Sequence, residues 1–143
     1  MRVSAKAQYA CIAMLELASN YQEPQLLQVK SIAESHGISP RFLVQILLQL
    51  KVHGLVRSLR GASGGYQLAR SPEEISLADV INAIDDPTPS MPPALKALKR
   101  STAVDALSSV FHDVDARERQ ILQKVTLAEL VRRTEANGMM YQI

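Results

Sequence analysis

The side chains able to do covalent chemistry are few and scattered. Cys11 is the single cysteine among 143 residues, so neither an intrachain disulfide nor a cysteine-rich metal site can form. His36, His53 and His112 share no ligand spacing, and no nucleophile sits beside a base in a hydrolase or transferase pattern. The sequence predicts no catalytic residue, no metal ligand and no cofactor; His112-Asp113-Val114-Asp115 reads as a solvated helix face. What remains is hydrogen bonding of the kind that reads base edges and phosphates. Ser39, Pro40, Arg41, Phe42 and Gln45 fall together just after a glycine. Arg41 suits guanine, Gln45 suits adenine, and Phe42 suits either a thymine methyl or the core. Arg60, Gly61 and Ser63 share a glycine-rich stretch in which Arg60 could enter a narrow minor groove. Arg2, Ser4, Lys6, Lys30 and Arg57 are placed to grip phosphate without reading sequence.

The glycine-rich stretch Arg60-Gly61-Ala62-Ser63-Gly64-Gly65 is not a nucleotide-binding loop. A phosphate loop would end in Gly-Lys-Ser or Gly-Lys-Thr, and a dinucleotide fingerprint would lead into a helix. Here the glycines lead into a second strand. Charge is uneven: residues 1–71 sum to +5 and residues 72–143 to −3, within a net +2. A basic front half fits a polyanion as well as it fits uneven solvation. Hydrophobic residues make up 47% and aromatics only 4%, so the core must be aliphatic. Apolar runs are interrupted at Glu16, Gln45 and Gln49, so no secretory signal or membrane span is expected; with one thiol, the natural compartment is the cytoplasm.

The elements that would position these groups follow from local signals. Ser4 caps a helix over Ala5–Ser19, and Pro24 lies in the break after it. Gln28–His36 forms a short second helix that Gly37 ends with a left-handed cap. Ser39-Pro40 opens a third helix, running to about His53 with Leu43, Ile46, Leu47 and Leu50 inward, and Gly54 closes it. Two short helices across a tight Gly-Ile-Ser turn make a helix-turn-helix. Leu55–Leu59 and Tyr66–Ala69 then alternate as strands, giving a β-hairpin with a cationic tip. Ser76 and Asp79 form a capping box for a helix that fades at Asp85-Asp86.

Four prolines in residues 87–93 predict a linker. Beyond it, Ala94–Lys124 reads as one long helix. Val104, Leu107, Phe111, Val114, Ile121 and Val125 recur on it at helical steps, a single apolar seam suited to a twin copy. Thr126 and Glu129 suggest a further cap for a short helix reaching Arg133, with a loose tail from about Gly138. The expected organisation is mainly α with a small β-hairpin. A winged helix-turn-helix domain spans 1–86, the linker 87–93, a helical dimerisation arm 94–134 and a flexible tail 135–143.

Met1-Arg2-Val3-Ser4-Ala5-Lys6 with Tyr9-Ala10 and Ala13-Met14-Leu15 resembles the opening of the Rrf-two (Rrf2) family of transcription regulators. The resemblance continues through Ile32-Ala33-Glu34, Gly37-Ile38-Ser39, Gly54-Leu55-Val56, Arg60-Gly61, Gly64-Gly65-Tyr66, Leu77-Ala78-Asp79-Val80-Ile81 and Thr126-Leu127-Ala128-Glu129-Leu130-Val131. It implies a sequence-specific DNA-binding regulator, a repressor working as a homodimer on double-stranded DNA. Cluster-binding members of that family carry three cysteines after the wing; this chain has none there. Asp105 and Ser108 stand near the expected third cysteine and histidine, and Gln8 stands where some members have an acidic ligand. The chain therefore reads as a member without an iron–sulfur cluster.

Val44 stands where several members carry a glutamate. Control would then fall to an effector metabolite, acting at the junction of linker and long helix, or to a partner enzyme. Cys11 reads as an inert thiol, with redox reporting as the rival role. A winged-helix protein-interaction module is the alternative function, against which Arg41 and Arg60 argue.

Overall fold

The computed structural model describes residues 3–22, 26–62, 64–85 and 91–141; Arg2 and Ser63, and residues 86–90 of the linker region, lie outside these. Helix α1 (Ala5–Ser19) starts where the Ser4 hydroxyl accepts the Ala7 N–H. Helix α2 (Val29–His36) stops at Gly37, whose φ of 68° only glycine adopts freely, and Ile38 N–H returns to the Ala33 carbonyl at 3.0 Å. Helix α3 (Pro40–Val52) begins with proline in its first turn. Strands β1 (Val56–Leu59) and β2 (Gly65–Leu68) pair antiparallel, Arg57 opposite Gln67 and Ser58 opposite Tyr66. A 3-10 turn (Pro72–Glu74) leads into α4 (Leu77–Ile84), which the Ser76–Asp79 capping box starts as expected.

One aliphatic core holds these elements together. Met14 and Leu17 of α1 meet Ile32 of α2, Leu43, Ile46, Leu47 and Leu50 of α3, Val56 and Leu68 of the hairpin, and Val80 of α4. Each fully buried aliphatic side chain contributes about 1.5–3 kcal/mol. Residues 43, 46, 47 and 50 share one side of α3, so its other side is left facing outward.

Three expectations change beyond the linker. The predicted helix over 94–124 is broken. A short α5 (Pro93–Lys96) ends early, and α6 (Thr102–Lys124) begins anew because the Ser101 hydroxyl takes the Val104 N–H. The last helix, α7 (Leu127–Tyr141), runs past Arg133 and through Gly138, so the segment 135–141 is helical where a loose tail was expected. Nothing in its sequence up to Tyr141 is a proline. Finally, Leu127 is fully buried in the core and Val131 packs against it. The junction of α6 and α7 is pinned by Leu77 N–H to the Val125 carbonyl at 2.8 Å and Leu127 N–H to the Ile75 carbonyl at 2.9 Å. The start of α7 thus packs with the N-terminal helices and not with the arm expected to contain it.

Candidate nucleic-acid interface

The turn between α2 and α3 sets the geometry of the candidate site. Gly37 reverses the chain within one residue, Ile38 is buried, and Ser39 delivers the first turn of α3 to the surface. Ser39 is exposed and makes no side-chain cap bond to α3. Arg41 and Gln45, one turn apart, both lie exposed on the side of α3 away from the core. The face also carries Val44 and Leu48, exposed by 39% and 49%, which a search for polar base readers passes over. Lys51 Nζ donates to Ser58 Oγ at 2.9 Å, tying the end of α3 to the hairpin.

The hairpin forms the wing. Arg60 leaves β1 fully outward, and Gly61 adopts φ 117° with Gly64 N–H closing the turn on its carbonyl at 3.0 Å. At the other side Gly65 presses against Leu27, whose N–H and carbonyl both pair with Tyr66 at 2.9 and 2.8 Å. The wing is therefore anchored at its base by the segment preceding α2. Lys30 stands exposed on α2, and Lys6 is half-buried on α1. His36 Nε2 lies 3.1 Å from Glu16 Oε2, joining the end of α2 to α1.

Several predicted readers have partners within the chain. The Phe42 ring is half-buried against the core and meets the Tyr9 ring edge-on, with centroids 5.7 Å apart and planes at 88°. Ser4 gives both its donors to one carboxylate: its N–H to Asp85 Oδ2 at 3.0 Å and its hydroxyl to Asp85 Oδ1 at 2.5 Å. A phosphate has only acceptors, so Ser4 could grip one only by releasing Asp85. Arg57 is exposed, but it also lines a cavity of about 300 Å³ with Leu17, Asn20, Tyr21 and Tyr66, behind the wing. Arg2 and Ser63 lie outside the described residues.

The predicted seam on α6 divides in two. Leu107, Phe111, Val114 and Ile121 stay 41–63% exposed, and Val110, absent from the predicted seam, joins them at 56%. Val104 and Val125 are half-buried, and Val125 closes α6 against the start of α4. The 23-residue helix is about 34 Å long, and none of its residues is buried.

Cys11 is half-buried and packs against the core. Burial, helped by the nearby Asp85 carboxylate, pushes its thiol up to about 11, which makes it a poor nucleophile and a poor metal ligand at neutral pH. Glu129, held by Arg132 at 2.9 Å and Arg133 at 3.2 Å, is kept below its ordinary carboxylate value by those two bonds. It leaves the predicted capping box half-made: Thr126 Oγ1 accepts the Glu129 N–H, but the Glu129 carboxylate turns to the arginines.

A family model described as "Rrf2: Iron-dependent Transcriptional regulator" matches residues 3–133. A helix-turn-helix-type transcriptional regulator of Mycobacterium tuberculosis is 43% identical over 131 residues, 91% of this chain and 81% of that protein. The regulator IscR of Photobacterium profundum is 33% identical over 132 residues, 92% of this chain and 76% of that protein. Among solved structures, T. potens IscR superimposes with TM-score 0.78 at 34% identity, covering 99% of this chain and 96% of that one. CymR, the global cysteine regulator of B. subtilis, superimposes with TM-score 0.82 at 28% identity, covering 93% of this chain and 98% of that one.

Proposed function

The chain belongs to the Rrf2 family of helix-turn-helix transcriptional regulators, and from that premise we propose that it is a cytoplasmic repressor that binds a two-fold operator as a homodimer. The observation that carries this reading is the outward face of α3. Arg41 and Gln45 stand on it, and the exposed Ser39 opens the helix. The wing that follows adds Arg60 at a glycine turn. In this account α3 enters the major groove, Arg60 the adjacent minor groove, and Lys6, Lys30 and Arg57 meet phosphates. The exposed stripe Leu107, Val110, Phe111, Val114 and Ile121 pairs with its copy, which places two α3 helices on half-sites about 10 base pairs apart or a multiple of that.

The family description includes iron, and the donors of this chain do not fit an iron–sulfur cluster. Such clusters are held by three or four thiolates; this chain has one cysteine, and its thiol is pushed to about 11. Among the described residues no three His, Cys, Asp or Glu side chains are grouped to hold a metal ion. No step of the mechanism therefore runs through iron. Control passes instead to an effector metabolite at the start of the arm or to a partner enzyme, since a shift of the arm would reset the spacing of the two α3 helices. CymR, a similar fold, regulates cysteine in its own organism.

The test is binding of purified protein to its own upstream DNA at two salt concentrations, beside Arg60→Ala. The reading predicts specific binding that weakens with salt, and roughly tenfold weaker binding for the variant. Feeble, sequence-independent binding by the unaltered protein would move the protein-interaction reading to the front.

A further inference from the structure

The outward face of α3 is more apolar than a solvated helix needs to be. Val44, Leu48 and Val52 follow one another at four-residue steps and are exposed by 39%, 49% and 83%. Four-residue steps stack side chains in one row. The row is flanked by Arg41, Gln45 and Lys51, all exposed, and it lies opposite the buried row Leu43, Ile46, Leu47 and Leu50. These aliphatic groups bring nothing to the core. They sit where a base-reading helix would present its readers, amid cationic groups complementary to phosphate.

A base pair offers one apolar group at its major-groove edge, the thymine C5-methyl. Resting on the regulator reading above, we propose that Val44 and Leu48 are specificity-determining residues that read two thymine methyls in each half-site. The thymine contact open to Phe42 in the sequence is thereby taken over by side chains that face outward, since the Phe42 ring packs on Tyr9. Spacing fixes the pattern further. One helical turn separates Val44 from Leu48 by about 6 Å along the axis, and stacked bases rise about 3.4 Å per step. The two thymines thus lie within about two base pairs of each other. Gln45, between them on the same face, is left to pair with adenine.

The experiment uses the full chain and does not depend on the operator sequence being known. Duplexes enriched from a random library would be remade with deoxyuridine at each thymine in turn, which deletes the methyl and leaves the Watson–Crick edge unchanged. Loss of one buried methyl contact should weaken binding about fourfold. The expected result is two sensitive positions per half-site, within about two base pairs of each other. Val44→Ala should abolish sensitivity at one of them and Leu48→Ala at the other, with thermal melting unchanged because both side chains are exposed. Tight binding with no deoxyuridine sensitivity, or sensitivity that persists in both variants, would overturn the proposal and leave the regulator reading standing. A change of oligomeric mass in Leu48→Asp with undiminished DNA affinity would also overturn it, because the face would then belong to a second copy. A library that yields no enriched duplex would overturn the regulator reading together with this one.

Discussion

Asp85 closes the end of α4 onto the start of α1 by accepting both donors of Ser4, at 3.0 and 2.5 Å, across 81 residues of sequence. Ser4 also caps α1, and Asp85 is the last described residue before the linker region. One carboxylate therefore couples the N-terminal end of the reading head to the point where the chain leaves for the arm. Asp85→Ala should lower stability by about 1 kcal/mol, the net worth of such exposed bonds, read from denaturant unfolding. Asp85→Asn, which retains an oxygen acceptor, should lose less. Equal losses would show that packing and not the two bonds holds the junction.

The wing depends on a close approach at its base. A Cβ on Gly65, which has φ 152°, would stand 2.6 Å from the Leu27 carbonyl oxygen, where the Leu27–Tyr66 bonds are made. Gly65→Ala should cost about 1–3 kcal/mol of strain and weaken DNA binding while the mass in solution stays unchanged. Gly138 makes the contrast: its Cβ would meet nothing within 4 Å on an exposed stretch of helix. Gly138→Ala should raise stability by up to about 1 kcal/mol. Paired melting curves of the two variants check both signs.

Cys11 gives a pH prediction. Its thiol is raised from the ordinary value of 9.0 to about 11, first by burial and then by Asp85. The folded protein keeps a proton there that the unfolded chain releases, so stability is full below pH 9 and falls between pH 9 and about 11. Cys11→Ser should flatten that part of the stability profile. At a pH of about 8, a thiol reagent should label the native protein slowly and the denatured protein fast. Peroxide should leave DNA binding unchanged; rapid labelling with loss of binding would identify Cys11 as a redox reporter.

Much of the N-terminal architecture is legible in the sequence because its signals are local. Ser4, Gly37, Pro40 and Gly54 each mark an end within a few residues, and helix Ala5–Ser19 falls where its cap predicts. The break before α6 is not legible, since Ser101 reads as an ordinary helical residue until its hydroxyl is seen on the Val104 N–H. The Ser4–Asp85 clasp and the burial of Leu127 are tertiary facts with no nearby marker. The inward side of α3 is legible too. Helical spacing puts Leu43, Ile46, Leu47 and Leu50 inward, and those four are the buried ones, which leaves Val44 and Leu48 outside. On α6 the period is less decisive, since it does not part the exposed Val110 from the half-buried Val125.

The central claim is that the exposed stripe of α6 holds two reading heads in register on DNA. Phe111→Asp places a charge in the middle of that stripe, at a residue 41% exposed in the single chain, so folding should survive. The decisive measurement is a footprint of the upstream region by the unaltered protein and by this variant, each with its mass determined in solution. The account predicts a dimer protecting two half-sites about 10 base pairs apart or a multiple of that, and a folded monomeric variant that has lost the footprint. A variant that remains dimeric, or a monomer that protects the same two half-sites undiminished, would contradict it.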